Sequence, residues 1–129
     1  MSVSLKEAIG LIALGGIAGA SIRYAVGAVG GEGLLVTVLI NIAGCFLLGL
    51  MLFGALEHHA LADRLRMVLG TGFAASLTTY STFIADILQS EPIVAAIYLI
   101  ASYLGGIVAI LLSRVVVGNV TYVLLENEQ

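Results

Sequence analysis

The sequence predicts an all-α integral membrane protein with four transmembrane helices, the third of them broken in mid-membrane. Three observations carry this. Of the 129 residues, 60% are hydrophobic and 10% charged, where soluble domains run at roughly 45–50% and about 25%. The apolar residues gather into four runs, each near the roughly 20 residues a helix needs to cross a hydrocarbon core of about 30 Å. One of these runs carries a dense cluster of hydroxyls at its centre. Five basic and eight acidic side chains cannot cover the polar surface a soluble domain of this size requires. The chain therefore reads as one transmembrane domain over residues 1–129, a multi-pass protein of the cell membrane with no room for a catalytic domain, and hence not an enzyme. A formal net charge of −3 with so few basic residues leaves no patch for nucleic acid. Cys45 is the only cysteine, which rules out an intrachain disulfide or a cysteine zinc cluster.

The first span covers about 8–29. Its one charge is Arg23, and it ends at the turn cluster Gly30, Gly31, Glu32 and Gly33. It lacks a short apolar core followed by a cleavage site, so it reads as a retained helix rather than a signal peptide. The second span, about 34–56, has no charge and one amide, Asn41. A polar loop at 57–66, with Glu57, His58, His59, Asp63, Arg64 and Arg66, turns the chain back into a hairpin. The third span runs over about 67–89. Pro92, the only proline, stands where a helix starts, and the fourth span continues to about 117. The tail, 118–129, is too short to cross again and is expected at the surface or frayed. Lys6, Arg64, Arg66 and Arg114 fall on the side of the termini, with Arg23 alone near the other, so the positive-inside rule places the termini in the cytoplasm.

Polar groups inside the spans need an explanation, because hydrocarbon satisfies none of them. Arg23 fits either an interfacial anchor that snorkels or an anion-attracting charge. Gly15 and Gly19 form a small-residue stripe on the same helix, which reads as a packing surface. Asn41, between Thr37 and Cys45 at four-residue spacing, is either one half of a helix-to-helix hydrogen bond or a neutral donor facing a pore.

The most informative stretch is TGFAASLTTYST at 71–82, where Thr71, Ser76, Thr78, Thr79, Tyr80, Ser81 and Thr82 all carry hydroxyls. One or two would be accounted for by bonding back to carbonyls one turn earlier. Seven exceed that. Gly72 with the clustered threonines predicts a helix break, and broken helices at membrane depth mark ion pathways. In the fourth span Tyr98, Ser102, Gly106, Ala109 and Ser113 recur every three or four residues as one small, partly hydroxylated face. His58 and His59 make no metal site unaided, and Asp86, one turn before the end of the third span, is placed near the headgroups without a role.

GGIAGASIRY at 15–24, INIAG at 40–44 and TGFAASLTTYSTF at 71–83, in a four-span chain of this length, resemble the Fluc fluoride channels, also called CrcB, over residues 8–117. The resemblance implies a passive, selective F⁻ channel that lets fluoride leave the cell and so limits its toxicity. It also implies an antiparallel, dual-topology homodimer with two pores and a central structural Na⁺. By position, Asn41 matches a pore-lining asparagine, Tyr80 and Phe83 match paired phenylalanines that contact fluoride, and Arg23 matches the arginine of the first helix. Tyr98 and Ser102 match the start of a fourth-helix polar track, and the hydroxyls of Ser81 and Thr82 would add donors to the pore. The backbone carbonyls of Ala75 and Thr78 match the sodium ligands. The chain departs from the family pattern in having Ala75-Ser76 for a Gly-Gly pair, Tyr80 for the first phenylalanine and Gly106 for a second track serine.

The partners so implied are fluoride, a second copy of the chain and the bilayer. The stripes of Gly15, Gly19, Gly105 and Gly106 are expected to bury against that second copy. Two other classes compete with this reading. A small proton-coupled multidrug transporter also has four short spans but wants a carboxylate within the first, and Glu7 precedes it. A non-transporting membrane scaffold accounts for the glycines and leaves the hydroxyl cluster unexplained.

Overall fold

The computed structural model describes residues 3–31, 33–54 and 63–126, with only the backbone of 121–126, and the regular secondary structure among them is all helix. The order is α1 (Leu5–Gly30), α2 (Leu34–Gly54), α3 (Arg66–Ala74, with π-type hydrogen bonding), α4 (Ala75–Leu77), α5 (Tyr80–Gln89) and α6 (Pro92–Glu126). Among the described residues three helices are long and apolar enough to cross a membrane: α1, α2 and α6 over Pro92–Val120. The segment expected to make the fourth crossing is the interrupted series α3, α4 and α5.

Local chemistry sets the boundaries. Ser4 caps α1 by accepting from the backbone N–H of Glu7 at 3.3 Å, which satisfies one of the free donors of a helix start. At the other end Gly31 takes φ +80, a conformation that glycine adopts without strain and that stops the helix. Pro92 opens α6 at the first helical position, where its missing N–H costs nothing. Beyond Val117 the structure differs from expectation: α6 continues to Glu126 rather than giving way to a surface tail. No proline follows Val117, and although Gly118 and Asn119 stand where a helix can stop, the uninterrupted helix keeps its own backbone bonds through them. Asp63, Arg64 and Leu65 are likewise already helical, so the polar connection is shorter than expected at that end. Most of the 57–66 loop, with His58 and His59, lies outside the described residues, as do Glu32 and the last three residues of the tail.

Glycines decide how closely the helices approach. A Cβ at Gly15 would run into the carbonyl of Val68, one at Gly19 into the carbonyl of Phe73, and one at Gly72 would come within 2.6 Å of the Ile12 carbonyl. These contacts seat α1 directly on α3. Gly49 likewise admits the Ser113 hydroxyl of α6 against α2, and Gly105 admits Ile42. The glycine stripes are therefore used up inside one protomer and do not form the surface for a second copy that the sequence suggests. Gly72 also does not break the helix, because its place is the close approach to α1.

Ile40, Ala74, Leu77, Phe83, Tyr98 and Ala109 form the small buried core, while large aliphatic side chains such as Leu14, Ile17, Leu104 and Leu111 lie on the outside. That inversion suits hydrocarbon as the solvent. At one end Arg64 Nε donates to Glu7 Oε1 at 2.7 Å. Both groups are well exposed, so the pair contributes at most about 1 kcal/mol. It does place the starts of α1 and α3 on one side, as the basic-residue pattern predicts.

Candidate functional site

The break falls at Thr78 and Thr79. Thr78 has φ −72 and ψ 157, and Thr79 has φ −141 and ψ 122, so two residues are extended between α4 and α5. β-Branched threonines favour this backbone. An extended dipeptide at membrane depth frees polar groups that each need a partner. Every one of them has one here. Thr78 N–H reaches Ala74 O at 3.1 Å. Arg23 Nη1 donates to Thr78 O at 3.0 Å. The Asn41 side chain takes both groups of Thr79: its Oδ1 accepts from the N–H at 2.8 Å, and its Nδ2 donates to the carbonyl at 3.1 Å. Arg23 therefore does not snorkel to the interface, and Asn41 makes the helix-to-helix contact that is one of its two readings. One N–H of its amide stays uncommitted by these bonds.

The hydroxyls divide by function. Thr79 Oγ1 caps α5, accepting from the Thr82 backbone N–H at 3.3 Å and donating to Thr82 Oγ1 at 2.9 Å, with Ser81 Oγ at 3.5 Å. Ser81 and Thr82 thus gather at the helix start, on the exposed side of the protomer. Thr78 Oγ1 bonds back to Ala75 O at 3.2 Å.

A cavity of about 540 Å³ opens beside the break. Asn41, Thr79, Tyr80, Phe83, Ser102 and Tyr103 line it, together with Ala75, Thr78, Cys45 and Gly106. The Ser102 hydroxyl is buried without a hydrogen-bond partner, and an unpaired donor there favours any acceptor that reaches it. The aromatic rings meet around Phe83, which is 6% exposed. Its centroid lies 5.2 Å from Tyr98 in a stacked pair, 5.9 Å from Tyr80, and 6.2 Å from Tyr103 in an edge arrangement. Ring edges carry partial positive charge. The lining is apolar apart from neutral donors, an environment in which a small anion finds hydrogen-bond donors without a fixed cation.

Of the residues singled out from the sequence, Asn41, Tyr80, Phe83, Ser102, Ala75 and Thr78 share this cavity. Arg23 stands behind the break, and Tyr98 stands behind Phe83, its hydroxyl donating to Asp86 Oδ2 at 3.0 Å. Sequence reasoning misses two contributors. Tyr103 follows Ser102 and belongs to no motif, although its ring meets Phe83. Asp86, expected near the headgroups and given no role, is half-buried and pairs with Tyr98 across α5 and α6, a pairing that no local spacing signals. The Ala75-Ser76 departure is easily tolerated, since Ala75 sits at φ −65 and ψ −32, where a Cβ is unstrained. Among the described residues no three His, Cys, Asp or Glu side chains gather as a metal site.

Comparison with known proteins gives three findings. Residues 10–114 match the family described as CrcB-like protein, Camphor Resistance (CrcB). The chain is 38% identical over 112 residues to the fluoride-specific ion channel FluC 1 of Natronomonas pharaonis, covering 86% of this chain and 94% of that one. It is 41% identical over 112 residues to the protein of the same name from Haloarcula marismortui, covering 86% of each, and 37% identical to the fluoride-specific ion channel FluC of Prosthecochloris aestuarii, covering 79% of this chain and 86% of the relative. No solved structure matches the chain.

Proposed function

The chain belongs to the CrcB family, and from that premise we propose that it is a fluoride-selective channel of the cell membrane that lets F⁻ leave down its gradient and so limits fluoride toxicity. The observation that carries the reading is the Thr78–Thr79 break held by Asn41 beside a cavity with neutral donors and aromatic edges. Fluoride is small and strongly hydrated, so a selective path must replace its water with close donors. The free N–H of Asn41, the unpartnered Ser102 hydroxyl and the edges of Tyr80 and Phe83 would do this, with Ser81 and Thr82 at the rim. Nothing pumps in such an arrangement, and passive leak is the mechanism. The multidrug-transporter reading is disfavoured, because Glu7 lies at the start of α1 paired with Arg64.

In this reading α3, α4 and α5 together make a fourth crossing, and the working unit is an antiparallel homodimer. Thr71, Ala75, Tyr80, Ser81 and Thr82 lie on the protomer surface, Tyr80 being 71% exposed. Hydrocarbon cannot satisfy such a face, and a second copy would. Ala75 and Thr78 from each copy would then supply four carbonyl oxygens to a structural Na⁺ at the interface. Both carbonyls already accept one intramolecular bond, and each retains a second lone pair for the ion. The test is fluoride efflux from liposomes carrying the purified protein, with chloride as the comparison anion. Fluoride release without a proton gradient is expected, and no release overturns the reading.

A further inference from the structure

We propose that Asp86 is a positioning residue of the ion path, acting through the Tyr98 hydroxyl to fix the ring of Phe83. The inference rests on the fluoride-channel reading and names a part that reading does not use. Asp86 stands on α5, three residues after Phe83, and is half-buried. A carboxylate partly enclosed between two helices needs hydrogen-bond donors. It takes the Tyr98 hydroxyl at 3.0 Å across to α6, while the Ser90 hydroxyl closes the end of α5 on the Asp86 backbone carbonyl at 2.7 Å. Tyr98 is only 4% exposed, and a buried tyrosine hydroxyl requires such an acceptor.

The consequence passes along the rings. Tyr98 lies against Phe83 with centroids 5.2 Å apart and planes 29° apart, the nearest of the three rings around it, so a shift of Tyr98 moves the surface against which Phe83 rests. Phe83 lines the cavity, whereas Tyr98 and Asp86 do not. The carboxylate therefore orients, from outside the path, the ring edge that faces the anion, and its own negative charge stays out of that path. A phenol has one proton, so while Asp86 holds it, Tyr98 serves as a fixed ring rather than as a donor to a passing anion.

The experiment compares fluoride efflux and the fluoride-to-chloride flux ratio in liposomes for the parent chain and for Asp86→Ala, Asp86→Asn, Tyr98→Phe and Asp86→Ala/Tyr98→Phe, each first shown to elute as the parent does. Asp86→Ala and Tyr98→Phe are expected to slow fluoride by about tenfold, the scale at which removing an orienting partner acts, and to lower the flux ratio. The double variant should be no slower than either single, because both remove the same bond. Asp86→Asn keeps a carbonyl acceptor and should recover most of the rate, which a purely charge-based role would not allow. Parent-like rate and ratio in Asp86→Ala overturn the proposal, as does a double variant that loses the product of the two single effects. If Asp86→Ala does not fold, an unchanged rate in Tyr98→Phe, which loses one oxygen atom, is equally fatal. A parent chain that passes no fluoride refutes the functional reading instead.

Discussion

Asn41 holds Thr79 by both of its backbone polar groups, accepting from the N–H at 2.8 Å and donating to the carbonyl at 3.1 Å. One amide thus replaces the helical bonds that an extended residue loses, while its second N–H is not committed to Thr79. Asn41→Asp undoes both roles. One carboxylate oxygen would face the Thr79 carbonyl, acceptor against acceptor, and a negative charge would stand where low dielectric strengthens repulsion of an anion several-fold. Fluoride efflux should collapse. Asn41→Leu removes the clamp without adding charge and should lower stability by roughly 2–6 kcal/mol, about 1–3 for each of the two Thr79 backbone groups left unpaired, read as a drop in thermal midpoint in detergent. Parent-like flux in a folded Asn41→Asp channel would show that the anion does not pass this residue.

Phe83 and Tyr80 separate ring chemistry from bulk. Phe83→Ile fills similar space but has no electropositive edge, and it also loses three ring contacts. Flux should fall by an order of magnitude or more. Tyr80→Phe keeps the ring and removes one hydroxyl from a side chain that is 71% exposed on the protomer, so its flux should stay within about twofold of the parent, since little transition-state stabilisation is removed. The paired efflux rates decide it: parent-like flux in a folded Phe83→Ile channel would mean that bulk, not the ring edge, is what matters.

Glycine contacts give a prediction about folding rather than conduction. A side chain at Gly19 would meet the Phe73 backbone, which cannot move aside, whereas a methyl group at Gly10 would meet nothing within 4 Å. Gly19→Val should therefore abolish the monodisperse species in size exclusion, and Gly10→Ala should leave it unchanged. A well-folded Gly19→Val protein would contradict the close seating of α1 on α3.

The crossings are legible because hydrocarbon as solvent writes itself into composition: runs of apolar residues bounded by Gly31, the 57–66 charges and Pro92. The break is legible as a hydroxyl cluster, but its position is not. Gly72 looks like a breaker in one dimension and proves to be a contact with Ile12, which only the packing of α1 reveals. The glycine stripes point wrongly to a second copy for the same reason, since a small residue states that something approaches closely without saying what. The cavity residues Asn41, Tyr80, Phe83 and Ser102 stand out through motif and polarity. Asp86 and Tyr103 do not, because each takes its place from a pairing between α5 and α6 that no local spacing encodes.

The uncovered face at Thr71, Ala75, Tyr80, Ser81 and Thr82 gives the proposed topology its test. If an inverted second copy covers it, a cysteine introduced at Lys6, in a Cys45→Ala background, should be labelled by a membrane-impermeant maleimide from both sides of the cell membrane in about equal amounts. The basic residues oppose this weakly, four against one, and equal insertion needs little bias. Label from one side only would exclude the antiparallel arrangement.

The last prediction concerns sodium. In the proposed dimer, Ala75 and Thr78 carbonyls from two copies surround one ion without a carboxylate, so the ion's charge is met only by dipoles and its affinity depends on all four oxygens being present together. Arg23 bonds to one of those oxygens, Thr78 O, at 3.0 Å, which holds the carbonyl in place and also sets a second positive charge near the ion. Sodium should therefore be bound tightly enough to support the dimer yet be removable by long dialysis against a large organic cation. Removal should lower the thermal midpoint and the dimer fraction, and readdition of Na⁺ should restore both. Because the ligands are backbone atoms, Thr78→Ser should shift the sodium dependence little, losing mainly the methyl packed on Gly44, whereas Arg23→Gln should shift it measurably through Thr78 O. Full dimer stability and full flux in scrupulously sodium-free buffer would mean that the two breaks do not share an ion.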